Sequence, residues 1–585
     1  MCQGSLSRAA VLILLFCGHW AATASGAQRP NVILVLTDDQ GYGDVAAHGN
    51  TMIRTPNLDA LHERSVRLTD FHVSPCCTPT RAALMTGRDP LRVGAWGTTW
   101  GRSLPYAEET MMAQVFARSG YRTGFFGKWH LGDNFPFRPG DRGFHTVLCH
   151  GGGGVGQTPD YWGNDYFDDT YFVDGRPTKF SGYCTDIWFD GAMEFIEANR
   201  QQPFFVYLST NAPHGPLNVD PKYSDPYVEQ GVPAAMAKFY GMIENIDENM
   251  GRLVALLESL DLAENTILIF MTDNGTASGV LPANQTGWTG FNAGMRGKKG
   301  SLYDGGHRVP CFLRWPQGEL GEGRDIDRLT AHVDILPTLI DLCGLNSPED
   351  VTFDGTSLVP LLRGDTRVWP DRALFVQYRQ STQPPIKWAA TLMTEQWRLV
   401  NGEKLYDMNA DPGQLTDVAA GHVELVGQLR AEYDAWWADV SSRFDEYSPI
   451  VLGAAAENPA RLTSFDWHTN TPWNQGHIRA GAAINGFWAV RVAQQGEYRI
   501  SLRRWPPEVD APITGSIDGG KAIRATEARL VVGDVERTKP IPSGAAAVTF
   551  DVQLDAGQMT LQTWLVDTAS GESRGAYYVE VLRRE

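Results

Sequence analysis

Basic residues are in short supply: 50 Lys and Arg stand against 68 Asp and Glu, a formal charge of −18 at pH 7. That balance excludes a general binder of nucleic-acid polyanions, which needs a basic surface. Cysteine is sparse too, with eight in 585 residues, too few for a scaffold built on disulfides. Past the N-terminal segment no apolar run approaches the ~20 residues that a membrane span requires. Gly (61) and Pro (34) are plentiful but follow no fixed period, which excludes collagen. Hydrophobic residues at 43% and charged residues at 20% describe a globular chain with ample core. Its length corresponds to about three to five domains.

What is present begins with a leader. MCQGSLSRAA carries one Arg and no acid, an apolar stretch runs from Ala9 to Phe16, and small residues follow at Ala22-Thr23-Ala24 and Ser25-Gly26-Ala27. A charged start, a short apolar run and an A-x-A-like end predict a cleavable signal over residues 1–27. The expected location is secreted or periplasmic, or lysosomal in a eukaryote. Removing the leader leaves Cys76, Cys77, Cys149, Cys184, Cys311 and Cys343, whose pairing the sequence leaves open.

The body of the chain alternates continuous apolar runs with amphipathic stretches. Val32–Leu36, Phe204–Leu208 and Ile267–Met271 read as parallel strands buried on both faces. Between the last two, Ile243, Ile246, Met250, Leu253, Leu257 and Leu260 mark one face of a long helix. An α/β domain with a large, mainly parallel sheet sandwiched by helices is therefore expected over 28–370. A small α+β subdomain is expected over 371–448, with a helix from about Val423 to Trp437. Beyond it, Tyr498-Ile500-Leu502, Val548-Phe550-Val552-Leu554 and Met559-Leu561-Thr563-Leu565 alternate with polar residues. Period two predicts antiparallel strands and an extra C-terminal β-sandwich over 449–585.

Each of the three apolar strands runs into polar, ionisable residues: Asp38-Asp39, Asn211-Ala212-Pro213-His214 and Asp273-Asn274. Ligands of open α/β sheets bind beyond the carboxyl ends of the strands, so these endings point to one shared site. Asp38, Asp39, Asp273 and Asn274 form an all-oxygen donor set suited to Ca²⁺, with Mg²⁺ as second choice, and unsuited to zinc. Capping of the following helices is the alternative use of these acids. A further cluster, Cys77-Thr78-Pro79-Thr80-Arg81 before Ala82-Ala83-Leu84, reads as a helix start with Cys77 near the free N–H groups.

Cys-x-Pro-x-Arg with Thr86-Gly87-Arg88 downstream resembles the signature of the type I sulfatases of the alkaline-phosphatase superfamily. The resemblance extends in order through Asn31–Gly41, Gly127–Gly132, Ala212-Pro213-His214, Thr272–Gly275 and Gly297–Tyr303. It runs from about Asn31 to Trp437 and implies an alkaline-phosphatase-like fold; the tail after about 449 lies outside it. It implies that a maturation enzyme oxidises Cys77, itself then also a metal ligand, to Cα-formylglycine, Cys76 being out of register with Pro79 and Arg81. A hydroxyl of the hydrated aldehyde, deprotonated with help from Asp273, would attack the sulfur of a sulfate ester. By the same resemblance His130 is the base that expels sulfate and His214 protonates the leaving oxygen with Lys299. Lys128, Lys299 and Arg81 surround the sulfate and residue 77 with fixed charge, and Lys128, His214 and Lys299 bind substrate. Lys298 is out of register.

The expected activity is sulfate-ester hydrolysis, on a sulfated carbohydrate in preference to an aryl sulfate, with no nucleic-acid partner and no membrane span. Two alternatives stand beside it: a phosphate or phosphonate monoesterase of the same superfamily, and a non-catalytic glycan-binding protein working through Trp467, Trp473 or Trp488 of the tail. Selectivity is expected in loops 145–185 and 276–296. The aromatic run Tyr161, Trp162, Tyr166, Phe167 and Tyr171 reads as partly buried loop aromatics, with stacking on a sugar as the alternative, and Gly151–Gly154 as a flexible loop near the site.

Overall fold

The computed structural model describes Met1, residues 29–281 and residues 288–584. The expected leader and the glycosylation-type sequence Asn284-Gln285-Thr286 lie outside the described residues. Among the described residues no helix is long and apolar enough to cross a membrane.

The elements that carry the site are β1 (Asn31–Thr37), α1 (Cys77–Thr86), β2 (Arg122–Gly127), β3 (Phe204–Ser209), α2 (Ala234–Ser259) and β4 (Thr266–Thr272). β1, β3 and β4 are buried at every position, which is why their sequences are unbroken apolar runs rather than alternating ones. They lie in a ten-stranded sheet whose centre runs β4-β1-β3-β2, then Thr146–Cys149, all parallel. Antiparallel neighbours close both flanks: Cys311–Arg314 beside β4, and Thr170–Val173 beside Thr146–Cys149. Part of the expected selectivity loop 145–185 is therefore sheet edge, because Thr170–Val173 and Arg176–Lys179 pair as a hairpin.

Crossover segments cover both faces. α2 returns the chain from β3 to β4 and buries Ile243, Ile246, Met250, Leu253 and Leu257. The register then fixes where the polar strand ends meet. Thr37 pairs with Thr272, Leu36 with Ser209, and Gly127 with Ser209. The residues that follow β4, β1 and β2, namely Asp273, Asp38 and Lys128, thus emerge at one level of the sheet, the last of them one strand removed from β1, across β3.

A four-stranded antiparallel sheet (Leu374–Gln377, Ala390–Met393, Trp397–Val400, Lys404–Asp407) follows, with helix Val423–Val440 packed on it. The tail folds as two sheets around one apolar core. The inward members of the alternation, Tyr498, Ile500, Leu502, Phe550 and Val552, are buried. One pair departs from the antiparallel expectation, since Ile450–Leu452 runs parallel to Phe487–Val492. Two expected glycan contacts are corrected here: Trp467 and Trp488 have no exposed surface and belong to the sandwich core, so neither can stack on a sugar. Trp473 alone of the three is exposed, at 42%.

Candidate active site

Helix α1 opens the site. Cys76 is its N-cap, in extended conformation, so Cys77 is the first helical residue and its side chain sits among free backbone N–H groups and the positive end of the dipole. Every residue of the helix is buried. Cys77 Sγ lies 3.5 Å from Asp38 Oδ1 and 3.5 Å from Lys299 Nζ. Cys76 and the cationic Lys128 and Lys299 together hold the Cys77 thiol well below its ordinary range despite burial. Cys76 itself accepts a hydrogen bond from Gln380 Nε2 at 3.1 Å, and its thiol is driven up.

Three carboxylates, Asp38, Asp39 and Asp273, present oxygens within 4.8 Å of one another. All three are buried, at 0–4% exposure. Each has one cationic partner: Lys128 Nζ donates to Asp38 at 2.5 Å, Lys299 Nζ to Asp39 at 2.5 Å, and Arg81 Nη2 to Asp273 at 2.8 Å. Burial pushes Asp38 up to about 7, with Cys77 adding to the rise and Lys128 opposing it. Burial and then Asp38 drive Asp273 well above the carboxylate range. Asp39 goes the other way, because Lys299 and His214 outweigh burial.

Asn274 completes the cluster. Its Nδ2 donates to Asp39 Oδ1 at 3.0 Å, while its Oδ1 is buried and has no hydrogen-bond partner. A buried orphan carbonyl costs about 1–3 kcal/mol, and three crowded carboxylates repel one another, so the cluster fits a hard cation bound through oxygen. The protein's own charges here balance, Lys128, Lys299 and Arg81 against Asp38, Asp39 and Asp273. A divalent cation would leave the pocket positive and ready for an anion. This is the local charge that the overall −18 averages away.

His130 and His214 stand at the rim of this cluster. His130 occupies left-handed backbone (φ 59°), unusual for a non-glycine residue, and its Nε2 donates to the Thr98 carbonyl at 2.9 Å. That bond assigns the tautomer and leaves Nδ1 as a lone pair, buried and without a hydrogen-bond partner, on a ring that neighbours the Cys77 thiol. Burial lowers its pKa to about 4. His214 Nδ1 donates to the Gly215 carbonyl at 2.6 Å, which leaves Nε2 facing Asp39 at 3.9 Å. Burial lowers His214 as well, with Asp39 opposing.

The structure thus brings Asp38, Asp39, Cys77, Arg81, Lys128, His130, His214, Asp273, Asn274 and Lys299 into one cluster. Lys298 stays outside it, exposed and 3.5 Å from the Ala277 carbonyl. The glycine run is not flexible filler: Gly151–Gly154 is buried, and a Cβ at Gly153 would lie 2.2 Å from His130 Cε1 and Nε2. Tyr166 and Tyr171 are buried as expected, and Tyr166 Oη also donates to the His214 carbonyl at 2.6 Å. Sequence reasoning missed Thr98, Ser209, whose hydroxyl accepts from Arg81, and Gln380. Thr98 acts through its backbone carbonyl, which no motif can show; Ser209 could have been found as the last residue of a buried strand.

Known proteins share this arrangement of sequence. The model of the family described as Sulfatase matches residues 30–345, and that described as N-sulphoglucosamine sulphohydrolase, C-terminal, matches residues 296–435. Human arylsulfatase A is 31% identical over 427 residues, 67% of this chain and 79% of that protein. Mouse N-acetylgalactosamine-6-sulfatase is 29% identical over 444 residues, 71% of this chain and 82% of that protein. Among solved structures, Ps i-CgsB in complex with k-i-k-neocarrahexaose superposes with a TM-score of 0.64 at 27% identity, covering 72% of this chain and 95% of that one.

Proposed function

The chain belongs to the sulfatase family and is a sulfuric ester hydrolase; from that premise we propose that its substrate is a sulfated carbohydrate and its nucleophile a formylglycine made from Cys77. The observation that carries the reading is a site in which Cys77 sits between Asp38 and Lys299, flanked by two buried atoms left unpaired, Asn274 Oδ1 and His130 Nδ1.

A hard cation, Ca²⁺ in preference to Mg²⁺, held by Asp38, Asp39, Asp273 and Asn274 with residue 77, would supply Lewis-acid stabilisation of charge on the sulfate and on the attacking group. Oxidised Cys77 would supply, as its hydrate, two hydroxyls on one carbon. Asp273 accepts a proton from residue 77 as it attacks sulfur, and Arg81 holds that carboxylate in place. His214, protonated on Nε2 where that nitrogen faces Asp39, passes the proton to the leaving alcohol oxygen with Lys299. Lys128 and Lys299 hold the sulfate oxygens. His130 would take a proton through Nδ1 from the second hydroxyl, whose electron pair would re-form the aldehyde C=O as the C–O bond to sulfate breaks.

Carbohydrate is preferred over aryl ester because similar proteins include an N-acetylgalactosamine-6-sulfatase and one solved with a neocarrahexaose. We place the reaction outside the cytosol on the strength of the N-terminal leader, which N-terminal sequencing of exported protein would check. A maturation enzyme is a required partner on this reading.

Three measurements test it. Peptide mass at Cys77, in a host that matures sulfatases, is expected to show conversion to the aldehyde; a persistent thiol would sink the mechanism. Matched aryl sulfate and aryl phosphate are expected to give the higher kcat/KM for sulfate, and a strong phosphate preference would move the assignment to the monoesterase alternative. Chelation is expected to lower activity by at least about tenfold and to lower the melting temperature. A cation at ~100 times its dissociation constant stabilises the folded state by about 2.7 kcal/mol. Ca²⁺ should restore both properties, and restoration by Zn²⁺ alone would overturn the all-oxygen assignment.

A further inference from the structure

The tail that the family models leave out, beyond residue 435, reaches the chemistry. Phe465, in the turn Ser464–Asp466 of the β-sandwich, is 2% exposed, and its ring centre lies 6.0 Å from that of His130 at an interplanar angle of 51°.

The three segments that surround His130 are each fastened to the same sandwich. The first is residues 97–101, whose Thr98 carbonyl holds His130 Nε2. Here the His468 ring lies directly on Gly101, so that a Cβ there would come within 2.3 Å of it; Gly101 also needs its left-handed backbone, φ 63°. The second is the stretch after His130: Asn134 Nδ2 donates to the Arg461 carbonyl, Phe135 N to Glu457, and Phe137 is buried in the sandwich core itself. The third is the glycine loop behind the His130 ring. Gly153 N donates to Gln157 Oε1, Thr158 N donates to the Trp473 carbonyl, and Gln475 Nε2 donates to the carbonyls of Gln157, Asp160 and Tyr161.

His130 needs such support. Its left-handed backbone is a conformation that persists only when its surroundings over-determine it. Its ring makes one hydrogen bond, to Thr98, and is otherwise fixed by contact with Gly153 and Phe465. We infer that the C-terminal β-sandwich forms one wall of the active site, and that Phe465 is a positioning residue that keeps the His130 ring turned with Nδ1 towards Cys77. The role given to His130 rests on the sulfatase reading; the placement of its ring does not.

The experiment uses the full chain and three variants, Phe465→Ala, Phe465→Leu and Phe550→Ala. Phe550 lies in the same sandwich core at 1% exposure, so its loss reports purely structural damage. Well below the melting temperature of all variants, F465A is expected to lose about 10- to 100-fold in kcat, with KM changed less than about threefold, as misplacement of a reacting group by about an ångström does. F465L should recover most of that loss, and F550A should melt as early as F465A while keeping wild-type kcat. A crystal structure of F465A should show the His130 ring turned off the Thr98 carbonyl. Wild-type kcat in F465A, or an equal loss in F550A, would reduce the wall to scaffolding and overturn the inference. If the wild type turns over no sulfate ester, the sulfatase reading fails, and the ring orientation decides: a His130 ring unmoved in F465A overturns the inference, a turned one upholds it.

Discussion

Replacing Cys77 with alanine is expected to reduce sulfate-ester turnover by at least about 10⁴-fold while leaving the melting temperature nearly unchanged, since loss of the nucleophile of a covalent mechanism removes the reacting atom itself. The second half of the expectation comes from packing. Alanine fits the first position of a helix, and the Cys77 side chain it replaces is small, with its hydrogen bonds to Asp38 and Lys299 both long at 3.5 Å. Cys76→Ala is the control. Cys76 shares the burial and touches Gln380, but its loss should leave most activity, because the chemistry belongs to the residue that faces the carboxylates. Initial rates on an aryl sulfate, with the peptide mass at position 77 as companion, decide between them. Equal loss in both variants would mean that the cysteine pair, and not Cys77, is the functional unit.

Replacing Arg81 with methionine is expected to damage stability and turnover together. The guanidinium has no exposed surface and donates to Asp273 at 2.8 Å, to the Lys128 carbonyl at 3.0 Å and to Ser209. Methionine keeps much of the stem but removes the donor to the Lys128 carbonyl and the Ser209 hydroxyl, and leaves the Asp273 carboxylate, which accepts from Asp39 N at 3.0 Å, without its cationic partner. Removing one partner of a buried pair costs about 3–5 kcal/mol, a large share of the ~5–15 kcal/mol that holds a typical domain together. Turnover of the folded fraction should fall by about 10²- to 10³-fold, the size seen when one fixed electrostatic group is removed from an active site. Thermal unfolding with and without Ca²⁺ separates the contributions: the cation should recover part of the stability, because it also neutralises Asp273. An unchanged melting temperature in chelator would show that Asp273 is protonated in the free protein and needs no partner.

The site was legible in the sequence to an unequal degree. Asp38 and Asp273 follow paired strands whose register aligns their ends, so strand-end polarity located them, as it did His214 beyond β3. Lys128 and Lys299 were placed by family resemblance, and the tertiary structure brings each amine to 2.5 Å of a carboxylate, Asp38 and Asp39 in turn. The aromatics of the tail were the weakest reading. Trp467 follows the turn Ser464–Asp466 and Trp488 lies in the strand Phe487–Val492, and residue type alone carries no information on whether such a ring faces solvent or the space between the sheets.

The amino-acid sequence by itself determined the buried parallel strands, the alternating strands of the tail, the cysteine at a helix start and the oxygen-donor set. Each of these depends on residues close together in the chain, whose periodicity and chemistry act locally. Only the tertiary structure decided that the tail belongs to the catalytic centre, that Thr98 offers a carbonyl to His130, that the glycine run is packed, and which histidine nitrogens remain free. Those facts arise from contacts between segments hundreds of residues apart, such as Phe465 on His130, and from backbone groups that every residue carries alike. No local pattern records them, because the free energy that selects them exists only after the chain has closed on itself.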